Sequence, residues 1–190
     1  MSFAHLPIDY RIITTEDYHK MIAAGIFDEQ DRIELVYGKI INMSAVRSTH
    51  SGRVNRIATY LMQHLSTEKY IVAVQNPITL PDLASEPEPG LVIATFREDF
   101  YTDTHPTAKD IHLVIEVSNT TLSFDREVKY ALYAEAGIPE YWIINTEEEQ
   151  IEIFRQPTKD LYAEHQIVRK GDTLRMAQFN LEVAAERLLG

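Results

Sequence analysis

The chain has no cysteine. Disulfides, Cys-ligated zinc, iron–sulfur clusters and thiol nucleophiles are therefore excluded. Positive charge is also scarce: 18 Lys and Arg stand against 29 Asp and Glu, a net −11 with histidine neutral. That balance argues against a broadly basic nucleic-acid coat but leaves room for a local basic cleft. No apolar run reaches the ~18–20 residues that span a bilayer. The start, Met1-Ser-Phe-Ala-His-Leu-Pro, lacks the basic and apolar regions of a signal peptide, so a cytoplasmic location is expected. There is no Gly-x-Ser-x-Gly elbow, Walker loop, dinucleotide fingerprint or His-Glu-x-x-His spacing. Serine hydrolases, P-loop enzymes and Rossmann oxidoreductases are set aside, and no organic cofactor is expected.

What is present looks like an ordinary globular chain. Hydrophobic residues make up 45% and charged residues 25%, which excludes disordered, collagen-like and coiled-coil classes. A length of 190 residues suits one domain, 1–190, with residues 1–30 as an N-terminal helical arm packed on it.

Thr15 to about Ala24 reads as a helix, capped by Thr14 or Thr15 and ended by Gly25. Two β-prone runs within 32–43 flank Tyr37-Gly38 and predict a hairpin. Apolar residues at 54, 57, 58, 61, 62 and 65 predict a helix over 51–65. Strands are expected at 70–74, 91–94, 111–117, 141–145, 151–154 and 162–168. The run Leu113–Ile115 is continuous enough for a strand buried on both faces. A helix over 123–136, with Ser123 as cap, is closed by Gly137 and Pro139. Residues 181–189 read as a short apolar tail. Strands and helices alternate only in the middle, so the fold class is α/β (α+β): a mixed sheet, not a doubly wound one.

Several polar residues carry potential chemistry. Glu116 closes a strongly apolar strand, where a carboxylate is costly unless paired or bound to a metal. The alternative is a strand that frays and exposes it. Lys129, on the following helix, could reach back over the strand end, although an isolated helical lysine is usually solvated. Glu34, between Ile33 and Leu35, faces either water or a cleft. Glu88, at the entrance of the 91–94 strand, could help Glu116 complete a hard-cation site, while Asp82 and Glu86 read as loop charge. His50 could meet a phosphate at a helix start, or simply make a local hydrogen bond. Paired acids alone would also admit a glycosidase, needing neither lysine nor metal.

As an ordered set, these residues look familiar. The series is Arg32-Ile-Glu34-Leu-Val-Tyr-Gly38-Lys-Ile with Met43-Ser44, His50, and Ser85-Glu-Pro-Glu-Pro89-Gly90-Leu-Val. It continues with Leu113-Val-Ile-Glu116-Val-Ser118-Asn-Thr-Thr121, Asp125-Arg126-x-x-Lys129-x-x-x-Tyr133 and Gly137-Ile-Pro-Glu140-Tyr-Trp142-Ile-Ile. The series resembles the Uma-type restriction endonuclease domain, a bacterial branch of the PD-(D/E)XK nuclease superfamily. The resemblance implies a restriction-endonuclease-like mixed central sheet flanked by helices. It also implies an Mg²⁺ site held by Glu116 and the Val117 carbonyl, with Lys129 and Glu34 as catalytic groups. The motif lysine usually sits where Ser118 stands here, and Lys129 matches its relocated position. DNA is the implied substrate, and a homodimer is implied by relatives that cut two strands.

At one position the chain departs from that pattern. The family's Pro-Asp pair falls on Pro89-Gly90, so a metal-binding aspartate is missing. Pro81-Asp82 spells the dipeptide, but no strand follows it directly. The expectation is a Mg²⁺-dependent DNA endonuclease impaired at Gly90, unless Glu88 or Glu34 compensates. The alternative is an inactive interaction or nucleic-acid-binding module on the same fold.

Overall fold

The Thr14 hydroxyl accepts from the Asp17 amide and starts α1 (Thr15–Ala23). The computed structural model describes residues 11–28, 30–43 and 48–190; Ser44 of the motif series and the first ten residues lie outside them. After α1 comes an antiparallel hairpin, β1 (Ile33–Val36) and β2 (Lys39–Asn42), turning at Tyr37-Gly38. Then follow α2 (Ser48–His64), β3 (Tyr70–Val74), β4 (Leu91–Thr95) and β5 (Ile111–Ser118). A composite helix α3 over 122–135 leads to β6 (Glu140–Asn145), β7 (Gln150–Thr158) and β8 (Leu161–Arg169).

Strands β3 to β8 form one six-stranded sheet in sequence order. Only β5 and β6 run parallel, and α3 makes the crossover between them. The other neighbours are antiparallel. Both faces of the sheet are covered, which is why the inner strands read as unbroken apolar runs. On one face Leu91, Ile93, Leu113, Ile115, Trp142 and Ile144 pack with α2 residues Val54, Ile57 and Leu61. On the other, Val92, Val114, Tyr141 and Ile143 pack with Leu132 and Tyr133 of α3 and Val36 of the hairpin. Among the described residues no helix is long and apolar enough to cross a membrane.

The structure revises the sequence reading at three elements. The apolar tail is β10 (Leu181–Ala184), paired with β9 (Thr173–Met176), followed by the helical turn Glu186–Leu189. Leu174, Val183, Leu188 and Leu189 bury themselves on the α2 face, and that demand for cover gives the segment its shape. Helix α2 begins at Ser48, before the apolar periodicity sets in. Helix α3 begins at Leu122 with no side-chain cap, so Ser123 is not its cap. It then widens into a π-helical stretch, Asp125–Lys129, before Tyr130–Glu135 resumes as α-helix.

Candidate active site

Glu116 inherits its direction from the strand's two-residue period. Val114 faces α3 and the hairpin, so Glu116 does too. It meets a lysine there. Lys129 Nζ donates to Glu116 Oε1 at 2.9 Å and contacts Glu34 Oε2 at 3.0 Å. All three side chains are buried: Glu34 is 3%, Lys129 4% and Glu116 7% exposed. Lys129 is therefore not a solvated helical lysine, and Glu34 turns into the cleft instead of into water. The Tyr133 hydroxyl donates to the same Glu116 Oε1 at 3.0 Å. On the other oxygen, Oε2, Glu116 accepts from the Gly90 amide at 3.1 Å.

Gly90 stands across the antiparallel ladder from Glu116, because Leu91 pairs with Ile115. It lies two residues before Val92, on the α3 face. A Cβ at residue 90 would sit 3.1 Å from the Ile115 carbonyl oxygen and 3.5 Å from the Val117 amide nitrogen. The two strands thus run slightly too close for a side chain at this point.

These groups open onto a cavity of about 550 Å³. Its lining includes Arg32, His50, Glu88 and Val117 as well as Glu34, Gly90, Glu116 and Lys129. Glu88 reaches the cavity, with its amide donating to Glu34 Oε2 at 3.2 Å and Arg32 lying 3.4 Å from its carboxylate. The hairpin is tied to this edge by two backbone hydrogen bonds between Leu35 and Glu86. Glu86 is not loop charge kept for solubility. It is buried and held by His19 and Thr79. Asp82 is exposed on a 3₁₀ turn, Pro81–Leu83, and does not line the cavity.

Two carboxylates share one ammonium in a buried site, and burial first, then their mutual charges, sets the ionisation. Burial pushes the Glu116 carboxyl up to about 7; Lys129 opposes the rise, while Asp125 and Glu34 add to it. Burial alone would lower Lys129, but Glu116, Glu34 and Asp125 together hold its ammonium above its ordinary value. Burial also raises Glu88, against the pull of Arg32. The His50 imidazole is pushed down, first by burial and then by Arg32, against a hydrogen bond to the Val117 backbone. Burial and the facing Glu116 keep the Tyr133 phenol protonated, and so a donor.

The family model Uma2, described as "Putative restriction endonuclease", matches residues 15–186. The chain belongs to the Uma2 family. A solved structure with the same fold comes from Anabaena variabilis ATCC 29413, where a protein of the DUF820 group is described as a putative nuclease. It is 14% identical, with a TM-score of 0.72, over 93% of this chain and 97% of that one. No curated protein matches the chain.

Do the residues of this Uma2 chain suit Mg²⁺? That ion takes oxygen donors, often only one or two carboxylates, and keeps several waters. Glu116 Oε2 and the Val117 carbonyl are donors of the right kind, and Glu88 lines the same cavity. Glu116 Oε1 is already engaged by Lys129 and Tyr133. Among the described residues, no three or more His, Asp and Glu side chains are grouped to hold a metal. The donor set fits Mg²⁺ in kind.

Sequence reasoning brought together Glu34, Glu88, Glu116 and Lys129, and left two residues without a role. Asp125 is buried and accepts from Ser118 Oγ at 2.6 Å and Thr121 Oγ1 at 2.8 Å, which locks the β5–α3 turn beneath Lys129. Tyr133 lies four residues after Lys129, the spacing that places two side chains one above the other on a helix. That spacing was visible in the motif series; the π-helical stretch before it was not.

Proposed function

We propose that the chain cleaves DNA phosphodiester bonds with Mg²⁺ held by Glu116 and the Val117 carbonyl, and does so feebly because residue 90 is glycine. The observation that supports this most is the 2.9 Å contact between Lys129 and Glu116 at the edge of a cavity where β4 begins and β5 ends. When bound, the ion supplies Lewis-acid polarisation of a phosphoryl oxygen. Lys129 places a fixed positive charge beside the reacting phosphate, where negative charge builds in the transition state. Glu34 holds that ammonium from the hairpin side and keeps it aimed along the cavity wall. Glu88, which lines the same cavity, is the acid that would substitute for the missing carboxylate. A homodimer acting on two strands in the cytoplasm belongs to the same proposal, and light scattering of the purified chain tests the dimer.

Plasmid nicking with Mg²⁺ or Mn²⁺ tests the chemistry in three proteins: wild type, Gly90→Asp, and Gly90→Asp with Glu116→Ala. Expected are weak or no nicking by wild type, a clear gain for Gly90→Asp and its loss in the double variant. A Gly90→Asp protein as inert as the double variant counts against hydrolysis.

A second reading, a non-catalytic binding module, is favoured by one specific observation: Lys129 is neutralised by two buried carboxylates. DNA affinity measured against salt separates binding modes. Affinity falling steeply as salt rises indicates phosphate contacts, and no binding at low salt indicates a protein partner.

A further inference from the structure

We infer that Tyr133 is the positioning residue that makes Glu116 a one-oxygen ligand, keeping Oε1 on the protein side so that Oε2 alone faces the cavity. This rests on the metal-site reading above and adds a residue to it. A buried carboxylate can turn about its last torsion, and because its two oxygens are equivalent, what must be fixed is the plane of the group, so that one oxygen stays turned toward the cavity. Lys129 cannot do this alone, because an ammonium on a flexible four-carbon stem is a point charge with little directional demand. Tyr133 supplies direction. Its ring is fully buried, and its hydroxyl lies 3.0 Å from Oε1. The ring is braced edge-on against Tyr141, with centroids 5.0 Å apart at 64°. Tyr141 is anchored in turn by donating to the Asp125 carbonyl at 3.1 Å. The phenol therefore cannot follow Glu116 if the carboxylate turns. With Lys129 and Tyr133 on Oε1, and the Gly90 amide on one side of Oε2, a single direction on Oε2 remains for a cation.

The test is titration with Mn²⁺, read by electron paramagnetic resonance, on wild type, Tyr133→Phe and Glu116→Gln, with a melting temperature for each. Phenylalanine keeps the packing and leaves Oε1 paired to Lys129, so the fold should hold. The expected result is a loss of about tenfold in Mn²⁺ affinity for Tyr133→Phe, the usual size when a ligand's supporting hydrogen bond is removed, at an unchanged melting temperature. Wild-type affinity in Tyr133→Phe overturns the positioning role and leaves the metal site standing. Wild type binding no tighter than Glu116→Gln overturns the metal site, and the inference with it. Should Tyr133→Phe melt early, 4-aminophenylalanine at position 133, which retains a donor, decides the matter: recovered affinity supports positioning and unrecovered affinity overturns it.

Discussion

Lys129 Nζ lies between two buried carboxylates, 2.9 Å from Glu116 and 3.0 Å from Glu34. It joins α3, the central strand β5 and the hairpin through one ammonium group. Removing one partner of a buried ionic network costs far more than the network itself contributes, because the remaining charges stay desolvated. Lys129→Met should therefore destabilise the fold by about 3–5 kcal/mol in urea unfolding. Adding Glu34→Gln and Glu116→Gln to Lys129→Met should return most of that loss. If the single variant unfolds like wild type, the three groups are not the buried network described here.

Gly90 permits a close strand approach. A Cβ there meets the Ile115 carbonyl at 3.1 Å, and this neighbour is backbone, which cannot rotate aside. Gly90→Ala should cost about 1–3 kcal/mol, the range for overpacking a tight site. Gly90→Asp should cost at least as much without metal, since its carboxylate would also lie beside Glu116. Millimolar Mg²⁺ should then raise the melting temperature of Gly90→Asp by more than that of Gly90→Ala, because a ligand stabilises the folded form more the tighter it binds. Differential scanning fluorimetry of the pair, with and without Mg²⁺, reads this directly.

His50 reports on the same cavity. Its pKa is depressed below the free value of about 6.5, by burial first and Arg32 second. For a depressed histidine the sign is fixed: the unfolded chain takes up its proton first as pH falls. The stability associated with neutral His50 is thus fully present above about pH 6.5 and is lost as pH falls toward its folded pKa. Imidazole NMR should give a midpoint below that of a free histidine. Arg32→Gln should move the midpoint upward, and a DNA phosphate in the cavity should do the same. An Arg32→Gln midpoint that stays put or falls removes Arg32 as a cause.

The part of this site that was readable in the sequence was the part carried by strand and motif order. Glu116 could be singled out because a carboxylate ending the run Leu113–Ile115 is anomalous on its face. Its partner could not be fixed from spacing, because a regular helix over 123–136 does not by itself decide whether Lys129 faces solvent or sheet. The π-helical stretch Asp125–Lys129 ends on the lysine itself, and such stretches have no reliable residue signature. The burial of Glu86 is hidden from the sequence for a similar reason. Its loop sequence is that of a solvated turn, and it is buried by partners distant in the chain, the hairpin at Leu35 and His19 from a helix 67 residues earlier. Residues 181–189 looked like a tail because β9, their partner, is four residues of mixed polarity.

The hairpin that carries Glu34 is outside the main sheet, and its turn offers a way to loosen it alone. Tyr37 and Gly38 both have positive φ, 48° and 67°, the pair of values that a two-residue hairpin turn of matching twist requires. A Cβ on Gly38 would collide with the Ile12 side chain at 2.3 Å and press on the Ile13 amide at 3.0 Å. That amide donates to the Gly38 carbonyl at 3.2 Å, so the segment before α1 rests on this turn. Gly38→Ala should therefore cost about 1–3 kcal/mol through backbone strain and displacement of Ile12. The damage should be local, because the hairpin is joined to the body by the packing of Val36, by bonds to residues 84–88 such as the Leu35–Glu86 pair, and by the Lys129–Glu34 bridge, not by a ladder to the main sheet. Amide exchange should accelerate in α1, β1 and β2 and stay slow in β5 and β6. Uniform acceleration would show that the hairpin and the central sheet open together, and Glu34 would then be as firmly fixed as Glu116.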